Sequence, residues 1–124
     1  MTIALWCVLV AALLPFPFAL AAKTGRGFDN ARPRDYLAQL EGWRKRANAA
    51  QLNSFESFPL FAAAVIIAQL VQHAPQGRID SLAIAFVVLR LIFGLCYVAN
   101  LATLRSLAWM GSLGCAVALF VVSA

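Results

Sequence analysis

The sequence predicts an all-α integral membrane protein, a single bundle of four transmembrane helices over residues 1–124, and three observations carry that prediction. Of the 124 residues, 63% are hydrophobic and only 12% are charged, and the mean hydropathy is +0.82, so too few polar side chains exist to cover a water-soluble domain. Four apolar stretches, about 3–22, 47–72, 79–102 and 106–124, are each close to or above the roughly 20 residues that a helix needs to cross hydrocarbon. What remains is one polar loop, 23–46, too short for a soluble domain. Cys7, Cys96 and Cys115 all fall inside the spans, an odd number among Leu, Val and Ala, and read as small buried hydrophobes with no disulfide framework.

The first span ends in Ala19-Leu20-Ala21, which resembles a signal cleavage site, but no Lys or Arg precedes it and it is read as a retained helix. Pro15 and Pro17 each remove a backbone donor, so its last turn is expected to bend or unwind. In the loop, Gly25, Gly27, Asp29 and Asn30 mark irregular chain. Pro33 opens a short interfacial helix whose Tyr36, Leu37, Leu40 and Trp43 share a face. Trp43 beside Arg44, Lys45 and Arg46 is an anchor at headgroup level.

The second span carries Arg46, Asn53, Glu56 and Leu60 on one helical face, with a kink expected past Glu56 because Pro59 frees the carbonyl of Phe55. The third presents Arg90, Phe93, Gly94, Tyr97 and Asn100 similarly, and Gly94 lets another backbone approach. The fourth follows a short connection that holds Arg105. His73 and Pro75 lie at the other membrane face, where the lone His is a loop residue.

Glu56 and Arg90 are the informative pair. A charge facing lipid costs about 2.5–3.5 kcal/mol even on lenient insertion scales, so each should face the protein interior. Counted from Arg46 and Arg105 at ~1.5 Å per residue, Glu56 and Arg90 lie roughly 15 and 20 Å deep, which lets them pair. Such a pair either pins two helices, with Asn53 and Tyr97 satisfying leftover hydrogen bonds, or marks a ligand site.

The run Asn53-Ser54-Phe55-Glu56-Ser57-Phe58-Pro59-Leu60-Phe61 closely resembles the second-helix signature of the MAPEG family, the membrane-associated proteins in eicosanoid and glutathione metabolism. Arg90, Tyr97 and Arg105-Ser106 fit that family's third helix and the start of its fourth, and the resemblance covers the whole chain. It implies a homotrimer with glutathione bound between neighbouring subunits near the cytoplasmic side, and a glutathione transferase or peroxidase acting on a lipophilic small molecule. By the same resemblance Asn53, Glu56, Arg90 and Tyr97 hold the tripeptide and Arg105 stabilises its thiolate. Two positions depart from the pattern. Ala49 stands where glutathione-using members commonly have an Arg, and Phe93 where an aromatic hydroxyl or a His is usual; Arg46, one turn earlier, is the candidate substitute for the missing Arg.

Two other classes stay open. One is a non-catalytic lipid-binding or scaffolding member of the family, which Ala49 and Phe93 favour. The other is a small proton-coupled multidrug transporter, which the uncharged first span and the intramembrane Arg90 disfavour. No nucleophile triad, phosphate loop or metal-ligand spacing is present, and the basic loop lacks the aromatic interleaving of a nucleic-acid reader, so its charge is assigned to topology and membrane lipids. The compact loops point to a bacterial inner membrane.

Orientation follows from the basic residues. Lys23, Arg26, Arg32, Arg34, Arg44, Lys45 and Arg46 crowd the first loop and the start of the second span, against Asp29, Asp35 and Glu41, whereas the second connection has only Arg78 and Asp80. The first loop is therefore expected in the cytoplasm and both termini outside it. Single cysteines placed at Asp29 in a cysteine-free background are expected to resist a membrane-impermeant thiol reagent in intact cells, whereas cysteines at Thr2 are expected to react; the reverse pattern would invert the topology.

Overall fold

The computed structural model describes all of residues 1–124 and contains α1 (Ile3–Leu13), α2 (Pro15–Ala22), α3 (Pro33–Ala38), α4 (Gly42–Val71), α5 (Gln76–Val98) and α6 (Ala102–Ser123). Four helical segments are long and apolar enough to cross a membrane: α1 with α2 as one span, α4, α5 and α6. The prolines act earlier in the first span than expected. Pro15 and Pro17 have no N–H to offer the carbonyls of Ala11 and Leu13, so the ladder breaks at Leu14. Leu14 keeps helical dihedrals and donates to the Val10 carbonyl at 2.9 Å, and the last turn up to Ala22 stays helical.

α4 runs 30 residues without interruption, so Pro59 is absorbed within the helix and does not end it. At ~1.5 Å per residue this is about 45 Å, longer than the roughly 30 Å hydrocarbon core, and its Trp43–Arg46 turn stands beyond the apolar zone. α3 begins at Pro33 as expected but stops at Ala38. The face expected to join Tyr36, Leu37, Leu40 and Trp43 is therefore split between α3, a short link and α4. Tyr36 instead meets Phe28 edge-on, with ring centroids 5.2 Å apart.

The core is built from small residues. Ala4, Cys7 and Ala11 of α1, Ala64, Val65 and Ala68 of α4, Ile79 and Ala83 of α5, and Ala116 and Leu119 of α6 pack around Phe61 and Phe86. Those two rings stack at 3.9 Å. In lipid no apolar driving force separates helix faces from solvent, and close approach of small side chains supplies the dispersion contacts that associate them. Gly94 serves the same end: a Cβ there would run into the ring of Phe18.

Helix ends are closed by specific side chains. Asn100, expected on the polar face of the third span, is instead the residue that stops α5. It adopts φ 62, and Asn100 N–H and Leu101 N–H donate to the carbonyls of Tyr97 and Cys96 at 3.1 and 2.8 Å, a Schellman closure in which Asn tolerates the left-handed backbone. That tight turn also places Arg105 inside the first turn of α6, not in the connection. At the opposite end, Asp80 lies within α5, and its Oδ1 accepts from Ala4 N–H at 2.9 Å and from Gln76 Nε2 at 2.8 Å. It caps a helix 76 residues away in the chain, alongside the local cap from Thr2. His73 stays at that same end, its Nδ1 3.1 Å from the Ala124 carbonyl oxygen.

Removing the Asp80 carboxylate orphans the Ala4 N–H at the start of the first span, so Asp80→Ala is expected to lower stability by about 0.5–2 kcal/mol, with Asp80→Asn retaining an acceptor oxygen and most of the stability. Thermal unfolding in detergent measures both, and equal losses in the two variants would contradict the capping role.

Candidate functional site

Arg90 is the deepest polar group. Its side chain is 1% exposed, on the α5 face that meets α4. Nη2 donates to Asn53 Oδ1 at 2.7 Å, and the guanidinium lies over the Phe93 ring at 4.1 Å. Nε and Nη1 are buried and have no hydrogen-bond partner. On its far side Arg90 borders Ala11, the residue whose carbonyl Pro15 leaves without a helical donor, so α1, α4 and α5 all meet at this side chain.

The expected Glu56–Arg90 ion pair does not form. Asn53 takes the guanidinium, and Glu56, three residues further along the same face of α4, is exposed. The division makes physical sense: a neutral amide is cheaper to desolvate than a carboxylate, so the amide occupies the inner position and the charge keeps to the opening.

Between α4, α5 and α6 these residues line a cavity of about 250 Å³. Asn53, Glu56, Ser57 and Leu60 form the α4 wall, Phe86 and Arg90 the α5 wall, and Trp109, Ser112, Leu113 and Ala116 the α6 wall. The α6 wall is not among the residues that periodicity and the family pattern single out. Its signal was present, since Arg105, Trp109, Ser112 and Ala116 recur at four, three and four residues, one helical stripe. Ser112 Oγ donates to the Trp109 carbonyl at 2.8 Å, a bond within α6.

Tyr97 and Arg105 are together but outside the cavity wall. The Arg105 guanidinium lies over the Tyr97 ring at 4.6 Å, and Tyr97 meets Phe93 edge-on with centroids 5.6 Å apart. Arg90, Phe93, Tyr97 and Arg105 therefore form a continuous series of two cations joined by two rings, from the membrane interior to the start of α6. Phe93 has no hydroxyl to give a ligand, yet its face supports Arg90 and its contact with Tyr97 carries the series onward.

Arg46, the candidate substitute for the side chain missing at Ala49, is held at the end of α5. Its Nε donates to the Val98 carbonyl at 3.1 Å, at the last residue of α5, where a cation complements the open carbonyls of a helix end. It is absent from the cavity wall, which contains neither Ala49 nor Phe93. No group of three or more His, Cys, Asp or Glu side chains is placed to hold a metal ion.

Chemically, the cavity wall combines a fixed cation whose buried Nε and Nη1 have no protein acceptor, an amide, a carboxylate at the mouth, and an aromatic and aliphatic α6 face. Such a set suits an amphiphilic ligand bearing both an anionic and a cationic group. Neither a curated protein nor a solved structure matches the chain significantly. A family model described as the MAPEG family matches residues 3–124. With that match running over essentially the full length, four membrane-spanning helices and the Asn53–Glu56–Pro59 pattern, the chain belongs to the MAPEG family.

Proposed function

We propose that this membrane protein binds glutathione, or an anionic thiol of the same kind, at the Arg90 cavity and joins it to, or uses it to reduce, a lipophilic electrophile drawn from the bilayer. The observation that carries the reading is the pair of buried nitrogens on Arg90, Nε and Nη1, that no protein acceptor satisfies, on a side chain that lines a cavity with Glu56 at its wall. An orphaned buried donor costs about 1–3 kcal/mol, more when charged, and a carboxylate ligand would recover that cost through charge-assisted bonds.

The residues present fit glutathione. Arg90 suits one of its carboxylates, Glu56 its ammonium group, and Asn53 has an amide N–H₂ to offer beyond the oxygen held by Arg90. Glutathione would supply a thiol nucleophile. Arg105, fixed over Tyr97, would lower the free energy of an anionic sulfur without itself losing a proton. The Trp109 and Leu113 wall would hold the apolar partner against α6. At about 250 Å³ the cavity is slightly below the roughly 300–1,000 Å³ usual for a ligand pocket, so closure by a neighbouring copy fits the homotrimer that the family resemblance implies.

A second reading, a non-catalytic member, is favoured by Ala49 and Phe93: both stand outside the cavity wall, but a tripeptide reaching from Arg90 toward Arg105 would pass Phe93 and, by the family resemblance, Ala49 too, and neither offers it a polar contact. If each missing contact is worth about 1–3 kcal/mol, affinity falls by one to several orders of magnitude. The expected result is therefore millimolar-range glutathione binding by calorimetry with slow conjugation of small aromatic electrophiles. Arg105→Ala is expected to abolish turnover, and Ala49→Arg to tighten binding. A wild-type protein that neither binds nor turns over, with no gain in Ala49→Arg, would leave the non-catalytic reading.

A further inference from the structure

Away from that cavity, the outer faces of α2 and α5 enclose an apolar groove of about 380 Å³ whose walls include Leu14, Pro17 and Phe18 on one side and Leu91 and Leu95 on the other. It is open along one side and ends, toward the basic loop, at Ala21, Val98 and Ala99. From Leu91 to Ala99 is about 12 Å of helix rise, close to the roughly 15 Å depth of one leaflet's hydrocarbon.

The basic rim is tied to both walls. Thr24 Oγ1 donates to the Ala21 carbonyl at 2.7 Å and accepts from Arg44 Nε at 3.2 Å, which joins Arg44 to the α2 wall. Arg46 Nε donates to the Val98 carbonyl at 3.1 Å, which joins Arg46 to the α5 wall. Each guanidinium spends only its Nε inside the protein, and Arg44 is further oriented by stacking over Trp43 at 4.5 Å. An apolar trough of leaflet depth thus leads to two arginines with free Nη groups. A second copy of the chain brings the wrong charge to that rim, because residues 23–46 hold seven basic side chains against three acidic ones.

We propose that this groove is a binding site for an anionic phospholipid, one acyl chain lying along Leu91 and Leu95 and the phosphate meeting Arg44 and Arg46. Basic pockets at the end of membrane helices recognise anionic headgroups by the same combination of local charge and burial. The site is separate from the Arg90 cavity and does not depend on the proposed chemistry there.

Native mass spectrometry and thermal unfolding of the purified protein test it, in nanodiscs of phosphatidylglycerol or of phosphatidylcholine with matched chains. Phosphatidylglycerol is expected to be retained on release and to raise the melting temperature by several degrees over phosphatidylcholine. Loss of two surface-level arginine attractions in Arg44→Gln/Arg46→Gln is expected to weaken retention about 30-fold. Because Arg46 also closes α5, Leu95→Trp supplies a variant that fills the trough with both arginines intact; it too is expected to lose retained lipid. Glycerol phosphate without acyl chains is expected to give no stabilisation. Equal behaviour in the two lipids, or full retention in Leu95→Trp, would overturn the proposal. So would disulfide formation between copies carrying Leu95→Cys in a cysteine-free background, which would make the groove a subunit interface.

Discussion

A fully buried guanidinium in the middle of a membrane helix is the constraint around which this bundle is arranged. Transferring a charge from water to such a site costs several kcal/mol even after relaxation, and only close polar partners offset it. Arg90 donates one hydrogen bond, to Asn53, and lies over the face of one ring, that of Phe93. The first contact sets the rotation of α4 against α5, and the second, within α5, holds the guanidinium in the orientation that the first requires. The break at Leu14 brings α1 into the same neighbourhood, with a carbonyl that Pro15 has released from the ladder. The two nitrogens left over face a structure that offers them nothing, and this deficit is the strongest physical argument for a ligand.

The axial register of the helices is set at their ends. Because the spans are apolar all round and the interior is largely Ala and Phe, little in the core distinguishes one axial register from another. Register comes instead from polar groups near the membrane faces: Asp80 on the α1 terminus, Asn100 at the α5 stop, and Arg46 on the Val98 carbonyl. These contacts are made at the level where water competes, so each contributes modestly, but together they hold the depth of Asn53 against that of Arg90.

Much of this was readable from residues alone, because hydrocarbon imposes a length and a polarity that few sequences satisfy by chance. The four spans, the helix start at Pro33 and the proximity of the Glu56 and Arg90 faces follow from periodicity and transfer cost. What periodicity cannot rank is which of two polar residues three apart reaches inward; Asn53 and Glu56 share a face, and their difference in desolvation cost decided it. Asn100 looked like part of a polar stripe because a helical wheel does not show where the helix stops. Asp80 and Arg46 act on chain segments 76 and 52 residues distant, and such partners appear only once the helices are packed. Trp109 and Ser112 lay on the stripe begun by Arg105 and were legible in principle, but an aromatic and a small hydroxyl in an apolar span carry no distinctive chemistry by themselves.

The account stands on Asn53, and not Glu56, being the partner that makes the burial of Arg90 tolerable. The direct measurement is a double-mutant cycle of thermal stability in detergent with Asn53→Ala, Arg90→Met and the double variant, beside Glu56→Gln. Asn53→Ala leaves the guanidinium without any hydrogen bond and should cost about 1.5–3 kcal/mol, while the double variant should cost little more than Arg90→Met, so that the coupling is nearly as large as the Asn53→Ala loss itself, with Glu56→Gln close to neutral. Additive losses for Asn53 and Arg90, together with a large loss in Glu56→Gln, would contradict it and restore the carboxylate as the partner.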